Sequence, residues 1–149
     1  IITSTANDAL YEDVSLNSAL EESVSAHYAL LKERGITPEI TMPPTQVRRQ
    51  LNKKALSRII GNILGNAAKY SDGDLSITLR ENGEMAFSNT AGGLDAVAVG
   101  KLFNRFFTVE TGRNATGLGL SIAKLLTEQM GGSITAEYEN GRLSVILRF

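Results

Sequence analysis

The chain has no cysteine, which removes disulfide bonds, zinc–thiolate centres and thiol nucleophiles together and fits a reducing cytoplasm. Charge of one sign is also lacking: 15 basic and 16 acidic residues leave a formal net charge of −1, so there is no global basic field to hold a nucleic acid. No apolar run approaches the roughly 20 residues needed to cross a bilayer. The opening Ile1-Ile2-Thr3-Ser4-Thr5 has neither the basic start nor the apolar middle of a signal peptide. Internal repeats and low-complexity tracts are absent, and so is the Walker pattern G-x-x-x-x-G-K-[ST].

What remains is the profile of a soluble globular domain. With 149 residues, 42% apolar and 21% charged, the chain can form one domain with a respectable core. Residues 1–9 read as the stub of something upstream and residues 10–149 as the domain. Residues 11–16 alternate loosely and predict a short edge strand. A helix follows, capped by Asn17 or Ser18 and running to about Arg34, where Gly35 stops it. Strands are predicted over residues 36–42 and 47–51. Asn52 caps a helix over residues 53–70, which Ser71-Asp72-Gly73 ends. Two hairpins carry the Asn-Gly turn signal: residues 75–80 with 84–88 around Asn82-Gly83, and 133–138 with 143–149 around Asn140-Gly141. Between them lie a short helix near residues 97–103 and a longer one over 118–130. Hairpins with interspersed helices predict an α+β sandwich, with a mixed or antiparallel sheet and helices on one face. The nearly thirty residues from 89 to 116 are too long for a plain connector and read as a functional loop.

The helix over 53–70 carries the most informative pattern. Against the apolar face of Leu56, Ile59, Ile60, Ile63, Leu64, Ala67 and Ala68 stand Asn62, Asn66, Lys69 and Tyr70, all along one stripe. Two asparagines a turn apart offer neutral oxygens suited to Mg²⁺, a hard cation that keeps several waters and takes few protein ligands. A lysine one turn on can meet phosphate, and the tyrosine can pack on a flat base. A plain solvated face is the alternative, but a half-buried amide needs partners. The second signal is Gly117-Leu118-Gly119-Leu120 at a helix start, preceded by Thr111-Gly112-Arg113-Asn114-Ala115-Thr116. Loop, glycines and helix N-terminus together describe a phosphate-facing lid over residues 107–116. The third is Phe87-Ser88-Asn89-Thr90-Ala91-Gly92-Gly93-Leu94, where a polar side chain ends a strand beside glycines that leave room for a base edge.

Together these pieces resemble the GHKL ATPase superfamily, and within it the catalytic domain of bacterial sensor histidine kinases. Asn62-x-x-x-Asn66-x-x-Lys69-Tyr70 is similar to its N box, and residues 89–93 stand where it has D-x-G-x-G. Leu102-Phe103-Asn104-Arg105-Phe106-Phe107 is similar to the kinases' F box and Gly117 to Leu120 to their G2 box. The resemblance runs over residues 11–149 and implies the Bergerat fold, a mixed sheet of about five strands under three helices, with ATP between helix and lid. It implies that Asn66 ligates Mg²⁺ with Asn62 in support, that Lys69 meets phosphate and that Tyr70 stacks near the adenine. It further implies that Asn89 reads the adenine amine, with Gly93, Arg113, Thr116, Gly117, Leu118, Gly119 and Leu120 lining the nucleotide. The partners implied are a histidine-bearing dimerisation domain of the same kinase and a response regulator. The setting implied is a cytoplasmic domain of a membrane-anchored sensor that does not itself enter the bilayer.

Two departures refine this. Asn89 and Ala91 replace the superfamily's aspartate and first glycine. An amide can accept from the adenine amine without charge assistance. Weaker ATP binding, poorer rejection of GTP and a gain on Asn89→Asp are the expectations. The superfamily's hydrolases place a glutamate where this chain has Asn62, and an amide cannot take a proton from water, which favours a kinase over a hydrolase. Exposed aromatics at 102–107 suit a partner helix or ordinary packing equally. His27 lacks the surroundings of a phosphoacceptor and is read as structural. The alternatives are a serine-kinase anti-sigma factor, disfavoured by Asn62 and the F box, and a degenerate nucleotide-binding or protein-interaction module.

Overall fold

A computed structural model describes residues 10–104 and 119–149. The expected stub at 1–9 lies outside the described residues, as does the expected lid. In chain order the elements are β1 (Tyr11–Ser15), α1 (Leu16–Glu33), β2 (Thr37–Thr41), β3 (Arg48–Asn52), α2 (Lys53–Tyr70), β4 (Asp74–Leu79) and β5 (Glu84–Thr90). Then come α3 (Ala96–Gly100), α4 (Gly119–Gln129), β6 (Ser133–Glu139) and β7 (Arg142–Arg148). β1 and β3 form a small antiparallel ladder, and the other five strands make one sheet in the order β2-β4-β5-β7-β6. Every pair in that sheet is antiparallel except β2 with β4. The parallel pair is possible because β3 and α2 supply the long crossover it needs.

Alternation along the strands divides the molecule into two layers. Leu75, Ile77 and Leu79 on β4, Met85 and Phe87 on β5, and Leu143, Val145 and Leu147 on β7 are buried on one face. They meet Leu16, Leu20 and Leu31 of α1, the apolar stripe of α2, and Leu120 and Ala123 of α4. The opposite face is polar and carries the ion pairs Glu84–Arg148 and Asp74–Arg142 across strands. This is the α+β sandwich the pattern predicts, with three long helices on one side.

Local chemistry sets the element ends. Asn52 caps α2, its Oδ1 accepting from Ala55 N at 3.1 Å. The β6–β7 hairpin turns through Asn140 (φ 53°) and Gly141 (φ 75°), the two positive-φ positions that a two-residue turn of the right twist demands. One boundary differs from expectation. The cap of α1 is Ser15, whose Oγ accepts from Ser18 N at 3.2 Å, not Asn17 or Ser18. Asn17 lies inside the helix, 3% exposed, and holds the connection before β3. Its Nδ2 donates to Pro43 O and Thr45 O, and its Oδ1 accepts from Val47 N at 2.8 Å. Tertiary contacts claim this asparagine, so a serine two residues earlier does the capping.

His27 is also accounted for by packing. Its Nδ1 lies 2.9 Å from Ser23 O, and its ring lies over Gly61, where a Cβ would come within 3.1 Å of Cε1. The glycine lets α1 approach α2 closely at this point.

Candidate functional site

The amphipathic period of α2 places its polar stripe on the border of the core. Asn62, Asn66, Lys69 and Tyr70 are all half-buried beside the fully buried Ile63, Leu64, Ala67 and Ala68. Asn62 Nδ2 donates to Gly119 O, the first residue of α4, at 2.9 Å. That bond ties two helices together at the root of the segment expected to face phosphate. Lys69 Nζ sits 5.4 Å from the centre of the Tyr70 ring, a cation–π approach, and Tyr70 packs on the core. Asn66 is different. Among the described residues nothing hydrogen-bonds to its carboxamide, although half-buried amides ordinarily find partners.

Asn89 is the last residue of β5 on the helix-facing side of the sheet, in line with Met85 and Phe87 and only 2% exposed. Its Nδ2 donates to Thr90 O at 3.0 Å. The turn that follows is braced on both flanks. On one flank Gly92 N donates to Asp72 Oδ2 at 2.8 Å, and Asp72 N donates to Thr90 O at 2.9 Å. On the other, Ala91 N donates to Gly141 O, and the Tyr138 hydroxyl reaches both Ala91 O and Leu94 O at 2.8 Å. Ala91 is fully buried and belongs to the core, so a methyl fits where the superfamily pattern has glycine. A Cβ added at Gly93 would meet no described atom within 4 Å, which leaves the space that a base edge needs.

Asp74, at the start of β4, anchors the same strand end. Its Oδ1 accepts from Thr90 N at 2.9 Å and Thr90 Oγ1 at 2.5 Å, and its Oδ2 from Arg142 Nη1 at 3.0 Å. Partial burial works against its charge, but the Thr90 hydroxyl and N–H and the Arg142 guanidinium outweigh it and hold the carboxyl below its ordinary value. Asp72, Asp74 and Tyr138 went unnoticed in the sequence because their partners lie 16 to 68 residues away.

Of the other expected site residues, Gly119 opens α4, and Leu120 is 5% exposed within the core, so its side chain serves packing. Arg113, Thr116, Gly117 and Leu118 lie outside the described residues. Among the described residues no three His, Cys, Asp or Glu side chains cluster to hold a metal. Mg²⁺ takes few protein ligands and keeps phosphate oxygens and water, and the unpartnered Asn66 amide is of the neutral-oxygen type that would fit it.

A two-layer sandwich with an amide-lined helix above the end of its central strand defines a class, and comparisons name it. The chain belongs to the family of histidine kinase-, DNA gyrase B-, and HSP90-like ATPases, whose model matches residues 51–149. It is 31% identical to sensor histidine kinase YcbM of Bacillus subtilis over 147 residues, covering 91% of this chain and 47% of that protein. It is 33% identical to sensor histidine kinase Hik2 of Synechocystis over 143 residues, covering 85% of this chain and 32% of that protein. The chain thus spans less than half the length of these relatives. Among solved structures, the catalytic domain of histidine kinase ThkA superposes with a TM-score of 0.77 at 22% identity, covering 92% of this chain and 93% of that one. Full-length ShkA in complex with AMPPNP gives 0.72 at 25% identity, covering 92% of this chain and 30% of that one.

Proposed function

We propose that this chain binds Mg·ATP and supplies the γ-phosphate to a histidine on a separate dimerisation domain, within a two-component sensor kinase that feeds a response regulator. The observation that carries the reading is Asn66: a half-buried carboxamide with no hydrogen-bond partner among the described residues, on the same helix stripe as Asn62, Lys69 and Tyr70. The kinship with sensor histidine kinases and the similarity to full-length ShkA, crystallised in complex with AMPPNP, support it.

The roles divide by chemistry. Asn66 Oδ1 holds Mg²⁺, and Lys69 offers a point charge to phosphate. Tyr70 packs beside the base and Asn89 meets its edge. With Asn66 as its protein ligand, Mg²⁺ would supply positive charge to offset the negative charge of the phosphates. Asn62 cannot serve as a general base for water: it is an amide, and its Nδ2 is already donating to Gly119 O. A site without a base suits a partner that brings its own nucleophile. His27 is not that nucleophile, since it packs over Gly61 between α1 and α2. No described helix is long and apolar enough to cross a membrane.

Isothermal titration of Mg·ATP into the wild type and Asn66→Ala tests the reading. We expect binding by the wild type, loss of Mg²⁺-dependent affinity in the variant and an unchanged circular dichroism spectrum. Equal affinity in both proteins refutes Asn66 as the ligand. No binding by the wild type favours a degenerate interaction module.

A further inference from the structure

Tyr138 has a duty that its place in the sheet does not explain. It stands in register with Leu143 of β7, and Leu143 with Asn89 of β5, so the three form one row across the helix-facing side of the sheet. The ring packs against the core there, and a phenylalanine would fill the same space. What phenylalanine lacks is the hydroxyl, which reaches 2.8 Å to Ala91 O and 2.8 Å to Leu94 O. One hydroxyl carries one proton, so the two carbonyls share it. They belong to the first and last residues of a turn that Leu94 N closes onto Ala91 O at 3.0 Å. We infer that Tyr138 is a positioning residue. Its hydroxyl draws the two ends of the 91–94 turn together and fixes the open place at Gly93 before a nucleotide arrives. This rests on the nucleotide-binding reading above.

The start of the turn is held without this hydroxyl. Ala91 is fully buried and its N donates to Gly141 O at 2.8 Å, while Gly92 N donates to Asp72 Oδ2 at 2.8 Å. The far end runs into α3, which Asp95 caps by accepting from Ala98 N at 2.7 Å. α3 has five residues and buries only Val99, and so short a helix does not hold its shape alone. The Tyr138 hydroxyl ties this end to the sheet. Without it the turn samples other shapes, and a ligand binds only the fraction that has the right one. The hydroxyl is already committed to two carbonyls and makes no contact with the ligand. Its loss therefore slows association and leaves dissociation as it was.

The test compares the wild type with Tyr138→Phe, which removes the hydroxyl and keeps the ring. Backbone amide exchange is followed by ¹⁵N NMR without nucleotide, and binding of Mg·mant-ATP, an ATP with a fluorescent group on its ribose, by stopped flow. In the variant the Leu94 amide should exchange about fivefold faster, as the loss of one hydrogen bond implies. The Val145 amide, in the middle of β7, should keep its rate. The association rate constant should fall by about the same factor, with the dissociation rate constant changed by less than about twofold, because only the competent fraction has changed. An unchanged Leu94 exchange, an unchanged association rate, or affinity lost through dissociation alone each overturns the inference while leaving nucleotide binding intact. An unfolded Tyr138→Phe overturns it as well, since the hydroxyl would then serve the whole fold. A wild type that binds no mant-ATP overturns the functional reading itself, and the inference with it.

Discussion

Five asparagines do four different jobs here, and what stands opposite each amide decides which. Asn52 caps α2, Asn17 clasps three backbone groups, Asn62 and Asn89 each spend their Nδ2 on a carbonyl, and Asn66 spends nothing on the described protein. Asn17 and Asn66 therefore make opposite controls. Asn17→Ala strands a buried N–H and two carbonyls, and we expect a loss of about 2–3 kcal/mol of stability in urea unfolding. Folded Asn17→Ala should bind Mg·ATP as the wild type does. Stability within a few tenths of the wild type would show the clasp to be replaceable by water.

At the scale of elements, α2 was legible because three independent signals agree on it: an asparagine cap, a 3.6-residue apolar period and a serine–glycine stop. Its packing partner was not legible. Gly61 costs helix propensity, and only the His27 ring above it explains its presence. We expect the two positions to be coupled. Gly61→Ala should stabilise a His27→Ala background by about 1 kcal/mol, the ordinary gain of alanine over glycine in a helix. In the wild-type background it should gain less or lose, because the new methyl presses on the ring. A double-mutant cycle that comes out additive would separate the two sites. His27→Ala should leave nucleotide affinity unchanged, as a residue with no part in phosphotransfer must.

Across the whole molecule, the polar face of the sheet links β4, β5 and β7 through Asp74, Thr90 and Arg142. Asp74 titrates below its ordinary 3.8 in the folded chain, so the unfolded chain binds its proton first as pH falls. Its contribution to stability is then complete above about pH 5 and is lost as pH drops through the lowered folded value. Both partners are well exposed, with side chains 40% and 43% accessible, so the effect is modest. The stability difference between wild type and Asp74→Asn should be constant from neutral pH down to about pH 5 and shrink below pH 4. A difference that stays flat through the acid range would mean that Asp74 is not held ionised by this network.

Periodicity, caps and Asn-Gly turns by themselves determined the element order, the buried stripe of α2, the two hairpins and the polar stripe from Asn62 to Tyr70. These are local properties, written within a few residues of where they act. The parallel docking of β2 on β4, the diversion of Asn17 from capping to clasping, the bracing of the 89–94 turn and the orientation of the Asn62 and Asn89 amides were decided only by the fold. An amide has two chemically opposite ends, and which end faces a ligand depends on the carbonyl that occupies the other. That carbonyl can be 57 residues distant, as for Asn62, or one residue on but held in place by strands from elsewhere, as for Asn89.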